Sequence, residues 1–133
     1  MFGVAKGSLA QFANASQDKL VHKPAGLAFD AAAALPISGL AALQALRDHV
    51  KVESGQRVLI TGASGGVGSY AVQIAKARGA VVTGTCSAEK VDLVLGLGAD
   101  AALDYRSQDF VAAGLAPSLH SASYVVIVAS GVR

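Results

Sequence analysis

A glycine-rich turn between an apolar run and an amphipathic stretch constrains the fold of this chain more than any other feature. The apolar run is Arg57–Thr61, and the turn after it reads Gly62-Ala63-Ser64-Gly65-Gly66. A short run rich in β-branched residues is typical of a strand buried on both faces of a sheet. Beyond the turn, apolar side chains recur at helical spacing: Val67, Ala71, Ile74 and Ala75. The sequence therefore predicts a strand, a tight turn and a helix that ends near Gly79.

The same alternation of strand and helix continues along the chain. We predict further strands at residues 80–85, 101–104 and 124–129, a helix at 89–97, and a short helix around 109–111 capped by Ser107. Strands that alternate with helices favour a parallel sheet built from right-handed crossovers. The predicted fold class is therefore α/β, with the strand order 3-2-1-4 of a partial Rossmann dinucleotide-binding fold.

The part of the chain before this alternation carries weaker signals. Weak alternation at residues 8–13 predicts a strand. Asp30 precedes an alanine run as a helix N-cap would, and Pro36 is expected to break or restart that helix. Leucines at helical spacing then predict a helix over residues 37–50.

Composition excludes several classes of protein. Apolar residues make up 53% and charged residues 15% of the chain, so long disordered tracts are not expected. A net charge of +2 without a basic cluster, and only 5% aromatic residues, argue against nucleic-acid binding. Cys86 is the only cysteine, which excludes an internal disulfide and a zinc site built from several cysteines. No apolar run reaches the ~18–20 residues of a membrane span and no signal-peptide pattern opens the sequence, so we expect a cytoplasmic protein without membrane contact.

The small residues of the glycine-rich turn suit a bound pyrophosphate. Gly62 and Gly65 allow the turn itself, and Gly66 lets backbone N–H groups approach phosphate oxygens without an intervening Cβ. Gly68 lets the helix lie close to the sheet, and the helix N-terminus offers free N–H donors to an anion. We therefore predict that a dinucleotide pyrophosphate binds at six residues: Ala63, Ser64, Gly65, Gly66, Val67 and Gly68.

The glycine spacing fits two known patterns. It reads Ala-x-Gly-x-x-Gly from Ala63 and Thr-Gly-x-x-x-Gly-x-Gly from Thr61, and the second pattern is that of short-chain dehydrogenases. Those enzymes need a Tyr-x-x-x-Lys pair for proton transfer. The residues four positions after the tyrosines of this chain are Ile74, Asp109 and Val128, so that chemistry is absent.

Several separate motifs in the same order make the chain resemble the medium-chain dehydrogenases/reductases, and within them the zinc-independent quinone oxidoreductase, or zeta-crystallin-like, branch. The resemblance covers roughly residues 8 to 110. The matching stretches are residues 18–20, 23–24, 31–40, 55–60, 62–68, 71–76, 98–100 and 104–106.

The resemblance implies a partial protein. Members of the family begin with a catalytic domain and continue beyond the fourth strand, so residues 1–28 are interpreted as a remnant of that catalytic domain and 29–133 as an incomplete dinucleotide-binding domain. The implied reaction is hydride transfer from NADPH to a small molecule: a quinone, an activated alkene or a carbonyl such as an aldehyde. We expect this chain alone to be inactive, because hydride transfer needs both reactants held in a water-poor cleft.

The alternative is a non-catalytic nucleotide-binding remnant or an assembly module. The fourth strand would be an unpaired apolar edge of the sheet, which is a template for pairing with another chain, including a second copy in a homodimer.

The end of the second strand bears on the choice of cofactor. In dinucleotide-binding folds an acidic residue there binds the ribose 2′-hydroxyl and repels a 2′-phosphate, but this strand is followed by Cys86. In the family that the chain resembles, a lysine after this strand and the tyrosine of an Asp-Tyr-Arg stretch contact the 2′-phosphate. Lys90 and Tyr105 match those positions, and Ser87 is a further candidate donor, so the resemblance implies NADPH.

The remaining polar residues carry weaker hypotheses. Cys86 lies near a helix start, which lowers thiol pKa values, but we favour a small residue that fills the rim of the pocket. Asp100 and Asp104 flank a short strand and are expected to cap loops. No nucleophile–base pair is visible, so no catalytic residue is assigned. No metal site is predicted, because the histidines share no metal-ligand spacing: His22, His49 and His120.

Overall fold

The computed structural model describes residues 1–108 and the backbone of the strand at 124–128. The chain divides into two units, Met1–Leu40 and Ala41–Arg133. The boundary after residue 28 that the sequence suggests stays a prediction. The predicted short helix around 109–111 and the last residue of the predicted strand 124–129 lie outside the described residues.

The first unit contains a short antiparallel pair of strands. Strand β1, Phe2–Gly3, pairs with β2, Leu20–Val21, and a 3₁₀ turn at Gln17–Lys19 leads into β2. The strand predicted at residues 8–13 is wrong. Leu9 and Phe12 are 104% and 91% exposed, and the segment pairs with no strand among the described residues, so its weak alternation has no sheet to support it.

Helix α1, Phe29–Gln44, corrects two expectations about the first unit. The Ala32 N–H bonds the Ala28 carbonyl at 2.9 Å, so Asp30 lies inside the first turn and is not the N-cap. Pro36 also lies inside the helix and does not break it. A proline removes one N–H and its helical hydrogen bond, a local loss that the bonds of the neighbouring turns outweigh here.

The helix continues from α1 into a π-helical turn at Ala45–His49. The stretch Phe29–His49 is long and apolar enough to cross a membrane, although a buried helix of a water-soluble protein passes the same test. Judged by length and composition alone, this helix contradicts the expectation that no segment is long and apolar enough to span a membrane. The expected absence of membrane contact stays a prediction.

The second unit is built on a parallel sheet. Its strands are β3 (Arg57–Thr61), β4 (Val81–Cys86), β5 (Ala101–Asp104) and β6 (Tyr124–Val128), and they lie side by side in the order β5-β4-β3-β6. Every neighbouring pair is parallel. In order along the chain this is 3-2-1-4, so the predicted α/β fold and strand order are confirmed.

Two helices connect the first three strands. Helix α2, Gly66–Ala77, follows β3 as predicted. The helix predicted at residues 89–97 is shorter: a 3₁₀ turn at Ala88–Lys90 precedes α3, Val91–Gly96, and Gly98 follows with a φ of +103°. A left-handed residue of this kind ends a helix at little cost only when it is glycine.

Small side chains allow close packing in the core of the second unit. Val58, Leu59 and Ile60 of β3 are 1% exposed or less, as expected of a strand covered on both faces. A Cβ on Gly84 would lie 2.7 Å from both the Ala63 Cβ and the Val94 Cγ1. The core is therefore packed up to the first residues of the glycine-rich turn.

Polar groups at the start of β4 are bonded to one another. Lys76 Nζ lies 2.8 Å from both carboxylate oxygens of Asp100, and the Val82 N–H donates to Asp100 Oδ2 at 2.6 Å. The Lys76 hydrogen bond, followed by the Val82 N–H, holds the pKa of Asp100 below its usual value. Asp100 therefore ties the start of β5 to α2 and β4, which confirms a structural role in its loop.

Candidate functional site

The carboxyl ends of β3, β4 and β5 meet at one edge of the sheet, the carboxyl edge. Ile60 pairs with Gly84, and Cys86 pairs with Asp104, so the loops at residues 62–65, 87–90 and 105–108 leave the sheet side by side. In open α/β sheets, ligands bind in the crevice outside the carboxyl ends of the strands. This edge is therefore the candidate site.

Hydrogen bonds join these loops to the neighbouring strand. The Ala63 N–H donates to the Thr85 carbonyl at 2.9 Å, and the Gly62 N–H lies 3.4 Å from Thr85 Oγ1. On the other side of β4, the Tyr105 N–H donates to the Cys86 carbonyl at 3.2 Å. Strand β4 thus anchors both the glycine-rich turn and the loop after β5.

The glycine-rich turn presents an uncapped helix N-terminus. Gly62 has a φ of +67°, and the Gly65 N–H closes a turn on the Gly62 carbonyl at 2.9 Å. Gly65 is the N-cap of α2, and no side chain accepts a hydrogen bond there. The first helical bond joins the Ser69 N–H to the Gly65 carbonyl, so the N–H groups of residues 66–68 precede it and have no partner within the helix.

Gly68 is required by close packing, although against the turn and not the strand. A Cβ at this position would lie 2.1 Å from the Gly62 carbonyl oxygen and 2.9 Å from the Ala63 Cα. Both neighbours are backbone atoms, which cannot move aside as a flexible side chain can. Gly68 therefore sets how closely α2 approaches the turn.

The remaining predicted residues of the turn differ in exposure. Ala63 is fully buried, whereas Gly65 and Gly66 are exposed. Ser64 and Val67 are half-buried. The structure brings all the predicted turn residues together, and their part in cofactor binding stays a prediction.

The loop after β4 carries no carboxylate at its first positions. Strand β4 ends with Thr85 and Cys86, so it begins and ends one residue later than predicted. Ser87 then begins a 3₁₀ turn, which the Lys90 N–H closes on the Ser87 carbonyl at 2.9 Å. The Ser87 hydroxyl does not cap this turn. Glu89 lies in the first turn, and Lys90 is exposed.

The loop after β5 is folded around the carboxylate of Asp104. Oδ2 accepts the Ser107 hydroxyl at 2.7 Å and Oδ1 accepts the Arg106 N–H at 3.1 Å. These two hydrogen bonds, the Ser107 bond first, hold the pKa of Asp104 below its usual value. The expected loop-capping role of Asp104 is therefore confirmed. The Ser107 hydroxyl donates its hydrogen bond to this carboxylate.

Tyr105 and Arg106 stand together at the tip of that loop. Tyr105 is 52% exposed, and the Arg106 guanidinium carbon lies 5.6 Å from the centre of the Tyr105 ring. Sequence reasoning does not single out Arg106. The available signal was its place beside Tyr105, but only the folded loop shows the guanidinium over the ring.

Cys86 is a core residue. It is 2% exposed, and burial, followed by the nearby Asp104 carboxylate, raises the pKa of its thiol, against a smaller opposing effect of Lys90. The idea that a helix start lowers this pKa is therefore wrong, since burial disfavours the charged thiolate. Cys86 is a small residue that fills space, but it lies in the core, so the place expected for it at the rim of the pocket is wrong.

No metal cluster stands out in the part of the chain that the structure describes. Among those residues no group of three or more His, Cys, Asp or Glu side chains is placed to hold an ion. His22 and His49 are exposed, and His120 lies outside the described residues.

An apolar groove occurs in the first unit. It measures about 570 Å³ and is lined by β1, β2, the 3₁₀ turn before β2 and the α1 side chains of Leu35, Pro36 and Leu40. Its lining offers few donors for phosphate oxygens, so it does not suit a nucleotide. The carboxyl edge of the sheet is the better candidate on chemical grounds.

Comparisons with known proteins agree with this geometry. Residues 66–132 match the family model described as zinc-binding dehydrogenase. The chain is 44% identical over 131 residues to a chloroplastic quinone-oxidoreductase homolog of Spinacia oleracea, covering 95% of this chain and 40% of that protein. The chain therefore spans less than half the length of this curated relative.

Solved structures show the same fold. A quinone oxidoreductase of Coxiella burnetii matches with a TM-score of 0.71 and 41% identity, over 74% of this chain and 31% of that one. The quinone oxidoreductase of Escherichia coli, solved in complex with NADPH, matches with a TM-score of 0.68 and 37% identity, over 72% and 30%. The chain thus belongs to the medium-chain dehydrogenase/reductase family, in its quinone oxidoreductase-like branch.

Proposed function

We propose that this chain is the cofactor-binding part of an oxidoreductase that uses NADPH. The observation that carries the proposal is the uncapped N-terminus of α2, where the N–H groups of residues 66–68 follow directly on the glycine-rich turn. The Escherichia coli relative with the same fold is described in complex with NADPH, which supports the proposal.

The residues of the turn fit a pyrophosphate. Exposed Gly65 and Gly66 leave the helix N-terminus open to an anion, and the positive end of the helix dipole favours negative charge there. The buried Ala63 and the close approach of Gly68 to Gly62 keep the turn rigid. When bound, a nicotinamide cofactor supplies the hydride, and the protein binds and orients it.

The loops after β4 and β5 favour a 2′-phosphate over a 2′-hydroxyl. No acidic residue stands at the end of β4, where it would accept the hydroxyl and repel the phosphate. Lys90 and Tyr105 are exposed on adjacent loops, and the Ser87 hydroxyl is not used as a helix cap. These three residues are proposed to bind the phosphate of NADPH.

The substrate is proposed to be a small molecule: a quinone, an activated alkene or a carbonyl compound. The described quinone oxidoreductases support the first of these. The reaction is proposed to need no metal, and the protein to act in the cytoplasm without nucleic-acid or membrane partners. These 133 residues alone are proposed to bind the cofactor without turnover, since hydride transfer needs an acceptor positioned about 3–3.5 Å away in a closed cleft.

Titration of the purified chain with NADPH, followed by nucleotide fluorescence, tests the proposal. Gly66→Val places a side chain at the open helix N-terminus, and we expect at least a tenfold loss of affinity with an unchanged circular dichroism spectrum. Gly96→Val is the matched control, because a Cβ at Gly96 meets no atom within 4 Å. Equal binding by the Gly66 variant would place the site elsewhere.

Size-exclusion chromatography with and without NADPH separates the proposal from the assembly-module alternative. Strand β6 lies at an edge of the sheet among the described strands, which is the feature that favours pairing with a second copy. Oligomers that form without nucleotide, from a chain that binds none, would support that alternative.

A further inference from the structure

We infer that Arg106 is a second cation of the 2′-phosphate site, positioned by the Asp104 loop and presented beside Tyr105 to the phosphate that Lys90 also contacts. The inference rests on the proposed function, because it needs a dinucleotide bound at the carboxyl edge of the sheet. It adds a specificity-determining residue to the proposed set of Ser87, Lys90 and Tyr105.

The loop places Arg106 next to the lysine loop. The Tyr105 N–H bonds the Cys86 carbonyl at 3.2 Å, so the start of the loop is attached to β4 directly before Ser87. Asp104 then accepts hydrogen bonds from the Arg106 N–H and the Ser107 hydroxyl, which turn the chain back on itself. Both exposed cations, Lys90 and Arg106, consequently leave the same edge from adjacent strands.

The Arg106 guanidinium makes no ion pair within 4 Å in the described part of the chain, although the Asp104 carboxylate of its own loop attracts it at longer range. The Arg106 side chain is exposed and its guanidinium carbon stands 5.6 Å from the Tyr105 ring centre. An aromatic face restricts a guanidinium while leaving its N–H groups available, which lowers the entropy lost on binding.

The charges of the two loops favour a second cation in the proposed site. Glu89 directly precedes Lys90, and Asp104 ends the neighbouring strand, so both loops also carry a carboxylate. A guanidinium adds charge and a planar pair of donors that matches two phosphate oxygens.

The test compares NADPH and NADH binding to wild type and variants. We expect Arg106→Ala to weaken NADPH binding by about tenfold or more, the usual range for a charged hydrogen bond, and to leave NADH binding unchanged. Arg106→Lys keeps the charge and loses the paired donors, so its affinity for NADPH should fall between those of wild type and the alanine variant. Arg47→Ala is the matched control, because it removes one exposed arginine of the second unit that lies outside these loops.

The outcomes separate this inference from the proposed function. Wild type that binds NADPH, with an Arg106→Ala variant of equal affinity, overturns the inference and leaves the function standing. Equal losses for NADPH and NADH also overturn it, because a phosphate contact cannot act on a cofactor that lacks the phosphate. Wild type that binds neither nucleotide overturns the proposed function and the inference together.

Discussion

The two edges of the parallel sheet use their cations in opposite ways. At the amino edge, where β4 and β5 begin, Lys76 is paired with Asp100 within the protein. At the carboxyl edge, Lys90 and Arg106 make no ion pair within 4 Å among the described residues, although the Asp104 carboxylate attracts Arg106 at longer range. The cation of the amino edge is therefore paired internally, and those of the carboxyl edge are available to a ligand.

This contrast follows from backbone direction. In a parallel sheet every strand ends at the same edge, and each following helix presents its N-terminus there. Free N–H groups and the positive ends of the helix dipoles accumulate at the carboxyl edge, which favours anions. At the amino edge the chain enters from helix C-termini, and the basic Lys76 in the last turn of α2 meets an acidic partner.

The largest expected effect comes from making the glycine-rich turn unable to pack. Gly68→Ala sets a Cβ 2.1 Å from the Gly62 carbonyl oxygen, so the turn or α2 must shift. We expect the free energy of unfolding in urea to fall by about 3 kcal/mol, at the upper end for overpacking. Gly96→Ala, where the added Cβ meets open space, should raise it by about 0.5 kcal/mol. Equal effects of the two substitutions would show that the close approach at Gly68 is not structurally required.

The next effect tests the ligand role of the carboxyl edge. Lys90→Ala should reduce NADPH affinity by about 10- to 150-fold, the equivalent of roughly 1.5–3 kcal/mol for a charged hydrogen bond. NADH, which has no 2′-phosphate, serves as the internal control and should bind equally to both proteins. Isothermal titration calorimetry with the two nucleotides measures the difference. A loss shared by both cofactors would contradict the assignment of Lys90.

The smallest effect tests the structural role of the amino edge. Asp100→Asn removes the charge that binds Lys76, and we expect about 1 kcal/mol of stability to be lost at pH 7, since the pair is partly exposed. Nucleotide affinity should not change, because Asp100 lies at the opposite edge. A change in nucleotide affinity without a change in stability would contradict the structural role assigned to the amino edge.

The Asp100 contribution should also depend on pH. Its pKa is lowered in the folded protein, so the folded state binds its proton less tightly than the unfolded state does. The stabilisation is therefore complete above the unfolded pKa of about 3.9 and is lost as the pH falls through the lower folded pKa. Urea unfolding of wild type and Asp100→Asn at several pH values should show a difference at neutral pH that shrinks below about pH 4.

Local sequence determined the strand, turn and helix around the glycines. The apolar run Arg57–Thr61 became β3 with the predicted ends, and Gly62 has the positive φ that a glycine tolerates. These features depend on side-chain periodicity and turn chemistry, which act between residues close in the chain. The parallel order of the strands followed as well, because alternating strands and helices leave few topologies.

Tertiary structure decided the features that depend on distant partners. The pairing of Phe2–Gly3 with Leu20–Val21 replaced the strand predicted at residues 8–13, since a strand forms only where a neighbour accepts its hydrogen bonds. The raised pKa of the Cys86 thiol comes from burial, which no local pattern reports. Likewise the place of Arg106 over Tyr105 depends on how the Asp104 carboxylate folds its loop. Residues close in the chain set the turn, and contacts between strands set what surrounds it.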